Sequence, residues 1–282
     1  MGTVFGRERS VRHACVLAHL AAAPQNAQPV RAAGAPQARD TGVVAPHEHI
    51  VWFEDNIAWF ESLGSSTLDQ AVPNCPDWTV VDVLNHLSFG LGLAYPAAVV
   101  AAPTTSDERV FADVAWPSAR PVGTDAVRIF GENLRSCAEL FRETDPAAPC
   151  WTYAGPSVAA FWFRRAAIET ALHRLDVEDA LDAAAPLADD RAEDAILETL
   201  SFAFPFAATL TDAPTGQLVV ESPCLTTEAR IGAGTPTTVL RGEPTDVVNA
   251  LWGRNLDRVS IDGDAERSGD WLHLIEVAFA GR

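Results

Sequence analysis

The sequence is short of positive charge. Against 38 Asp and Glu stand only 20 Lys and Arg, giving a formal net charge of −18 and a pI of about 4.6. A chain this acidic repels phosphate backbones and anionic lipid surfaces, so no nucleic-acid partner and no membrane partner is expected. Cysteine is scarce and scattered: Cys15, Cys75, Cys137, Cys150 and Cys224, with no CxxC pair. That spacing signals neither a zinc ribbon nor a redox dithiol. Free thiols fit a reducing compartment, and a cytoplasmic location is expected. Long apolar runs are lacking too, and no stretch is expected to reach the roughly 20 residues of a membrane span.

What is present suffices for a sizeable core. Hydrophobic residues make up 48% of 282 residues, enough for one large domain or two ordinary ones. Arg7, Arg9 and Arg12 precede "ACVLAHLAAAP", a weak imitation of a signal peptide that His19 interrupts. Residues 24–45 are rich in Ala, Pro, Gln and Gly without hydrophobic period. Residues 1–45 are therefore expected to be a disordered extension.

Helical spacing begins in "PHEHIVWFEDNIAWFESLG", where Ile50, Phe53, Ile57, Phe60 and Leu63 recur on one face. A second helix is predicted from Trp78 or Thr79, with Thr79 and Asp82 at capping-box spacing and Val80, Leu84, Leu87 and Leu91 as its stripe. Residues 103–123 hold Pro103, Pro117 and Pro121 with scattered charge and read as a long loop. A third helix is expected over 124–142 and a fourth over 158–181, completing a four-helix bundle. A fifth helix, about 190–210, would be kinked or ended by Pro205. After it, "GQLVVES", "TEARIGA", "TTVLRGE" and "RVSIDGD" have strand character, with a helix capped by Thr245 before the last of them and another closing the chain. The fold class expected is α+β, with an N-terminal helical bundle over 46–211 and a small α+β domain over 212–282.

Chemistry concentrates in "RRAAIETALHRLDVEDAL", residues 164–181. Glu169, His173 and Asp176 stack at i, i+4 and i+7 beside the apolar stripe Ile168, Leu172 and Leu175. One reading makes them intrahelical pairs, Arg165 with Glu169 and His173 with Asp176. The other makes Glu169 and His173 two ligands of one metal, which requires a third ligand from another helix. His86, at the edge of the second helix's buried arc, fits that requirement. Two histidines and a carboxylate with an open position suit a divalent metal, zinc first, with Fe²⁺, Ni²⁺ and Mn²⁺ also accommodated.

"CPDWTVVDVLNHL" (75–87) followed by "FWFRRAAIETALHRLDVEDAL" (161–181) resembles the mycothiol-dependent maleylpyruvate isomerase family, within the wider DinB-like metal-binding four-helix bundles. "VLRGEPTDVVNALWGRNLDRVSIDGD" (239–264) resembles that family's C-terminal domain, which looks like a small sterol-carrier-type fold. The resemblance implies a metal at His86, Glu169 and His173, and mycothiol or another low-molecular-weight thiol as cofactor. It also implies an active-site arginine from the C-terminal domain, for which Arg254 in "WGR" is the candidate. Asp176 would stand behind the ligands, orienting His173 or pairing with Arg165. The implied activity is a metal-dependent, thiol-using isomerase or S-transferase acting on a small electrophile, by a monomer or homodimer. The alternative is a non-catalytic, metal-containing protein that binds a small ligand or lipid.

Overall fold

A computed structural model describes residues 44–275, apart from 154, 212–215, 224, 232–236 and 264. The expectation for residues 1–45 thus falls almost wholly outside the described residues. The chain divides into two compact units, principally Ala45–Ala185 and Pro186–Gly281.

Four helices build the first unit: α1 (Pro46–Glu61), α2 (Val80–Phe89), α3 (Thr124–Glu143) and α4 (Ala160–Ala180). α1 packs on α3 and α4, and α2 packs on the same two helices. The stripes legible in the sequence meet in the middle: Phe53, Ile57, Phe60, Val80, Leu84, Leu87, Phe130, Leu134, Cys137, Phe141 and Ile168 are all fully buried. Removing that apolar area from water is what holds the bundle together. One polar tie crosses it. Asn56 of α1 donates to Thr170 Oγ1 of α4 at 3.1 Å, both residues being buried.

α2 begins where its capping signal stands. Asp82 accepts from the backbone N–H of Thr79 at 2.9 Å and from its hydroxyl at 2.8 Å, satisfying polar groups that the first turn leaves without intrahelical partners. The helix then passes through a π turn, Gly90–Ala94, and continues as Tyr95–Val100. Pro96 explains the change of pitch, because its ring has no N–H to donate and would crowd the carbonyl four residues back. Gly92 lies inside that turn, and a Cβ there would come 2.6 Å from the Cβ of Asn133 on α3. Taken together, Val80–Val100 is long and apolar enough to cross a membrane by length and composition, which the sequence reading did not expect. Two thirds of that segment is buried inside the protein, as befits the core helix of a bundle.

The region between Val100 and α3 has a one-turn helix, Asp107–Val110, within an otherwise irregular path. Phe111 is buried there, packed edge-on against Trp151. Between α3 and α4 runs a short antiparallel pair, β1 (Pro149–Cys150) with β2 (Ser157–Val158).

The second unit begins earlier than the boundary expected near residue 212. Helix α5 (Asp189–Glu198) and its continuation through the π turn Thr199–Ala203 into Phe204–Leu210 belong to it. The physical reason is packing: α5 lies against α6 (Pro244–Leu251), and Trp252 Nε1 donates to Thr199 Oγ1 at 3.0 Å. Pro205 sits in the first turn after the π turn, matching the arrangement at Pro96. Thr245 is not the cap of α6, which Glu243 occupies. Its hydroxyl accepts from the backbone N–H of Leu187 at 2.9 Å instead.

A four-stranded sheet completes this unit, with β3 (Gly216–Glu221), β4 (Thr226–Ile231), β5 (Thr237–Arg241) and β6 (Ser260–Asp262) in spatial order β4-β3-β5-β6. β3 and β5 run parallel, and the other pairs are antiparallel. β3 alternates, with Leu218 and Val220 fully buried, as one face of a half-covered strand requires. With α6 before β6 and α7 (Ala265–Leu272) after it, the order is the β-β-β-α-β-α read from the sequence.

Candidate metal centre

α2 and α4 bring three donor atoms to one place in the helical unit. His86 Nε2 lies 3.3 Å from Glu169 Oε1, and His173 Nε2 lies 3.6 Å from the same oxygen. The donor atoms of His86, Glu169 and His173 all lie within 4.8 Å of one another. Two ligands each about 2.0–2.2 Å from a common ion, separated by a roughly tetrahedral angle, stand about 3.2–3.6 Å apart. The two shorter separations fall in that range, so the residues fit a divalent ion.

Both intrahelical pairs suggested by the sequence are also formed, and they leave the ligand atoms available. Arg165 donates to Glu169 Oε2, so Oε1 is the oxygen turned to the histidines. His173 Nδ1 meets Asp176 Oδ2 at 3.0 Å, so Nε2 is the nitrogen turned to Glu169. Asp176 is fully buried and also accepts from the Cys75 thiol, with Sγ at 3.4 Å. A carboxylate holding Nδ1–H fixes the tautomer in which Nε2 carries the lone pair. Cys75, His173 and Asp176 form a second cluster of close donors. Its members are buried and hydrogen-bonded to one another, which suits support of His173 better than an open ligand set.

The electrostatics follow from these contacts. Burial works against ionisation of Glu169, but Arg165 and the hydrogen bonds from His173 and His86 hold its carboxyl well below the usual range. Burial likewise works against a charged His173, and its hydrogen bonds to Asp176, Cys75 and Glu169 outweigh that and hold it well above the usual range. His86 goes the other way, lowered by burial and by the neighbouring His173 and Arg120 charges. The ionised Glu169 carboxylate facing two imidazoles makes a site that a proton on His173 or a metal cation can balance.

Trp78 walls the cluster. Its ring is stacked on His173 at 6.1 Å and tilted against His86 at 5.1 Å. The turn Cys75–Trp78 positions both of its ends: Trp78 N–H donates to the Cys75 carbonyl at 2.9 Å, with Pro76 next and Asp77 at φ +67°. A positive φ at the third residue is the type II pattern, which Asp tolerates better than most residues. The sequence singles out His86, Glu169, His173 and Asp176, which the fold brings together, but gives no part to Cys75, Trp78 or Arg120. Cys75 and Trp78 lie in the same quoted motif, and only the fold shows that they reach α4. Arg254 lies in the C-terminal unit, just after Gly253, where its guanidinium donates to the Trp252 carbonyl at 3.0 Å.

Fold and site together define a class: a four-helix bundle that gathers two histidines and a carboxylate from two helices, in a chain that also carries a small α+β unit. Residues 52–178, within the helical unit, match the family model of the mycothiol maleylpyruvate isomerase N-terminal domain. Among solved structures, mycothiol-dependent maleylpyruvate isomerase is similar in fold, with a TM-score of 0.56 at 15% identity. A histidine-to-alanine mutant of mycothiol-dependent maleylpyruvate isomerase gives 0.57 at 14% identity. In both cases the likeness covers 78% of this chain and 93% of the other. No curated protein sequence matches the chain.

Proposed function

We propose that the protein is a metal-dependent enzyme that uses a low-molecular-weight thiol, mycothiol first among them, to isomerise or S-conjugate a small electrophile. The observation that supports this most is the convergence of His86, Glu169 and His173, from two separate helices, to within 4.8 Å. These three residues would hold a divalent metal, zinc first. A bound ion of this kind supplies Lewis-acid chemistry and lowers the pKa of a thiol or water beside it. Three protein donors suit a site that keeps a position open, whereas a purely structural zinc takes four. That weighs against a non-catalytic small-ligand or lipid carrier.

The chain's own residues prepare the site. Arg165 keeps Glu169 ionised, Asp176 keeps the Nε2 lone pair of His173 turned inward, and Cys75 holds Asp176 in turn. Trp78 covers the histidine rings and narrows the approach of water. In the reaction class proposed, a thiolate adds to one carbon of an activated double bond and a C–S bond forms. Rotation about the resulting single bond and loss of the thiolate give isomerisation, whereas protonation of the adjacent carbon gives a thioether. Arg254 is proposed to bind a substrate carboxylate, and the cytoplasm is the proposed location, where Cys75, Cys137 and Cys150 stay as free thiols.

The test is thiol-dependent turnover. Zinc-loaded protein with mycothiol is expected to consume maleylpyruvate or a related electrophile, and Glu169→Gln to lose that activity by at least about a hundredfold. Electrophile consumption that is indifferent to the thiol would overturn the reading.

A further inference from the structure

The stretch between Val100 and α3 delivers an arginine to the edge of the metal cluster. Its path is pinned at two adjacent residues. Asn85 Nδ2 donates to the Pro121 carbonyl at 3.0 Å, and Arg120 Nη1 reaches Asp82 Oδ1 at 3.4 Å. Asp82 and His86 are i and i+4 on α2, so the two side chains lie one above the other on the same face. The Arg120 guanidinium therefore stands on the side of α2 from which His86 projects, and its charge acts on the His86 ring.

Three observations make Arg120 more than a surface ion pair. Its only ion pair among the described residues is at 3.4 Å, long for a charge-assisted bond, so most of its five donors have no short partner. Its side chain is 27% exposed, within reach of a small molecule yet partly shielded from solvent. Asp82, which faces it, is already committed through its other oxygen to Thr79 at the start of α2, so the carboxylate serves the helix whether or not Arg120 is present. Arg165, by contrast, is buried and engaged with Glu169.

The whole chain sharpens the point. It carries a net charge of −18 and no lysine at all, so every cationic side chain besides histidine is an arginine. An anion approaching this site meets Asp82 and Glu169, and a local guanidinium is needed to make the approach favourable. Arginine's planar fork also matches a carboxylate bidentately, which an ammonium cannot do.

We propose that Arg120 is a substrate-binding residue that holds the carboxylate of the electrophile beside the His86–Glu169–His173 cluster. The proposal rests on the metal-site reading above, and it places an anion subsite within the helical unit itself. Maleate and its neutral dimethyl ester are the probes, titrated calorimetrically into zinc-loaded wild type, Arg120→Lys and Arg120→Gln, each with its zinc content measured first. Equal zinc in all three is expected. The maleate Kd should rise about tenfold or more in Arg120→Gln and less in Arg120→Lys, with binding of the ester unchanged across the series. The lysine variant keeps the ion pair with Asp82, so a loss in it cannot be put down to misfolding of the loop. Equal maleate affinity in wild type and Arg120→Gln, or no maleate binding by the wild type, overturns the proposal. Lack of zinc in the wild type would overturn the metal reading alone, because the same maleate comparison on zinc-free protein still decides the role of Arg120.

Discussion

Glu169 and His173 each divide two polar atoms between two tasks. One oxygen of Glu169 takes Arg165 and the other faces the histidines. One nitrogen of His173 takes Asp176 and the other faces Glu169. The salt-bridge reading of this helix is therefore met by one set of atoms, and the atoms that the ligand reading needs are left available. The i, i+4 and i+7 spacing made these residues legible in the sequence, because helical period alone sets which side chains share a face. Cys75, 101 positions from Asp176, carried no such signal, since nothing local to it shows what it meets. Another buried thiol gives a prediction at this scale. Burial pushes Cys150 up to about 11 from an ordinary 9.0. Between those values the unfolded chain has lost this proton and the folded chain has kept it. The contribution is thus fully present below pH 9 and is lost as pH rises towards 11. Urea unfolding at pH 7, 9 and 10 should show stability declining across the upper interval for this reason, with a shallower decline in Cys150→Ala. Identical pH slopes in the two proteins would remove Cys150 from the account.

Among the elements, α2 and α4 do the positioning, and each is locked to the bundle by different means. α2 starts at its capping box and bends through a π turn four residues ahead of Pro96, with Gly92 allowing α3 to come close. α4 is tied to α1 through Asn56, which also lies near Arg174, whose guanidinium covers the Trp59 ring at 5.0 Å. Asn56→Ala should cost about 1–3 kcal/mol in denaturant unfolding, because it leaves buried polar partners unmatched. A loss below about 0.5 kcal/mol would show that the tie contributes little beyond packing. The four bundle helices were legible as apolar stripes. The π turns were not, although Pro96 and Pro205 marked both places, because a proline permits a kink, a break or a change of pitch with equal ease. The β1–β2 pair was too short for alternation to show. The grouping of α5 with the second unit was not legible, because α5 has the amphipathic pattern of a bundle helix and periodicity does not say which neighbour covers the stripe.

For the molecule as a whole, the function proposed above depends on bringing residue 86 and residues 169–173 together, and on that assembly binding a cation. Such a site is formed only in the folded bundle, so a metal held there stabilises the fold by mass action and its removal should lower the melting temperature. The acidity of the chain argues against nucleic acid and anionic surfaces as partners, but it does not disclose where an anionic substrate would be received. The proposal made for Arg120 puts one such point on the stretch between Val100 and α3. The most direct test of the central claim is the zinc content of wild type and His86→Ala, purified in parallel and measured by atomic emission. The account predicts about one zinc per chain in the wild type and close to none in the variant, since two remaining ligands hold the ion poorly. A wild type without bound metal, or a His86→Ala protein that keeps its full complement, would contradict it.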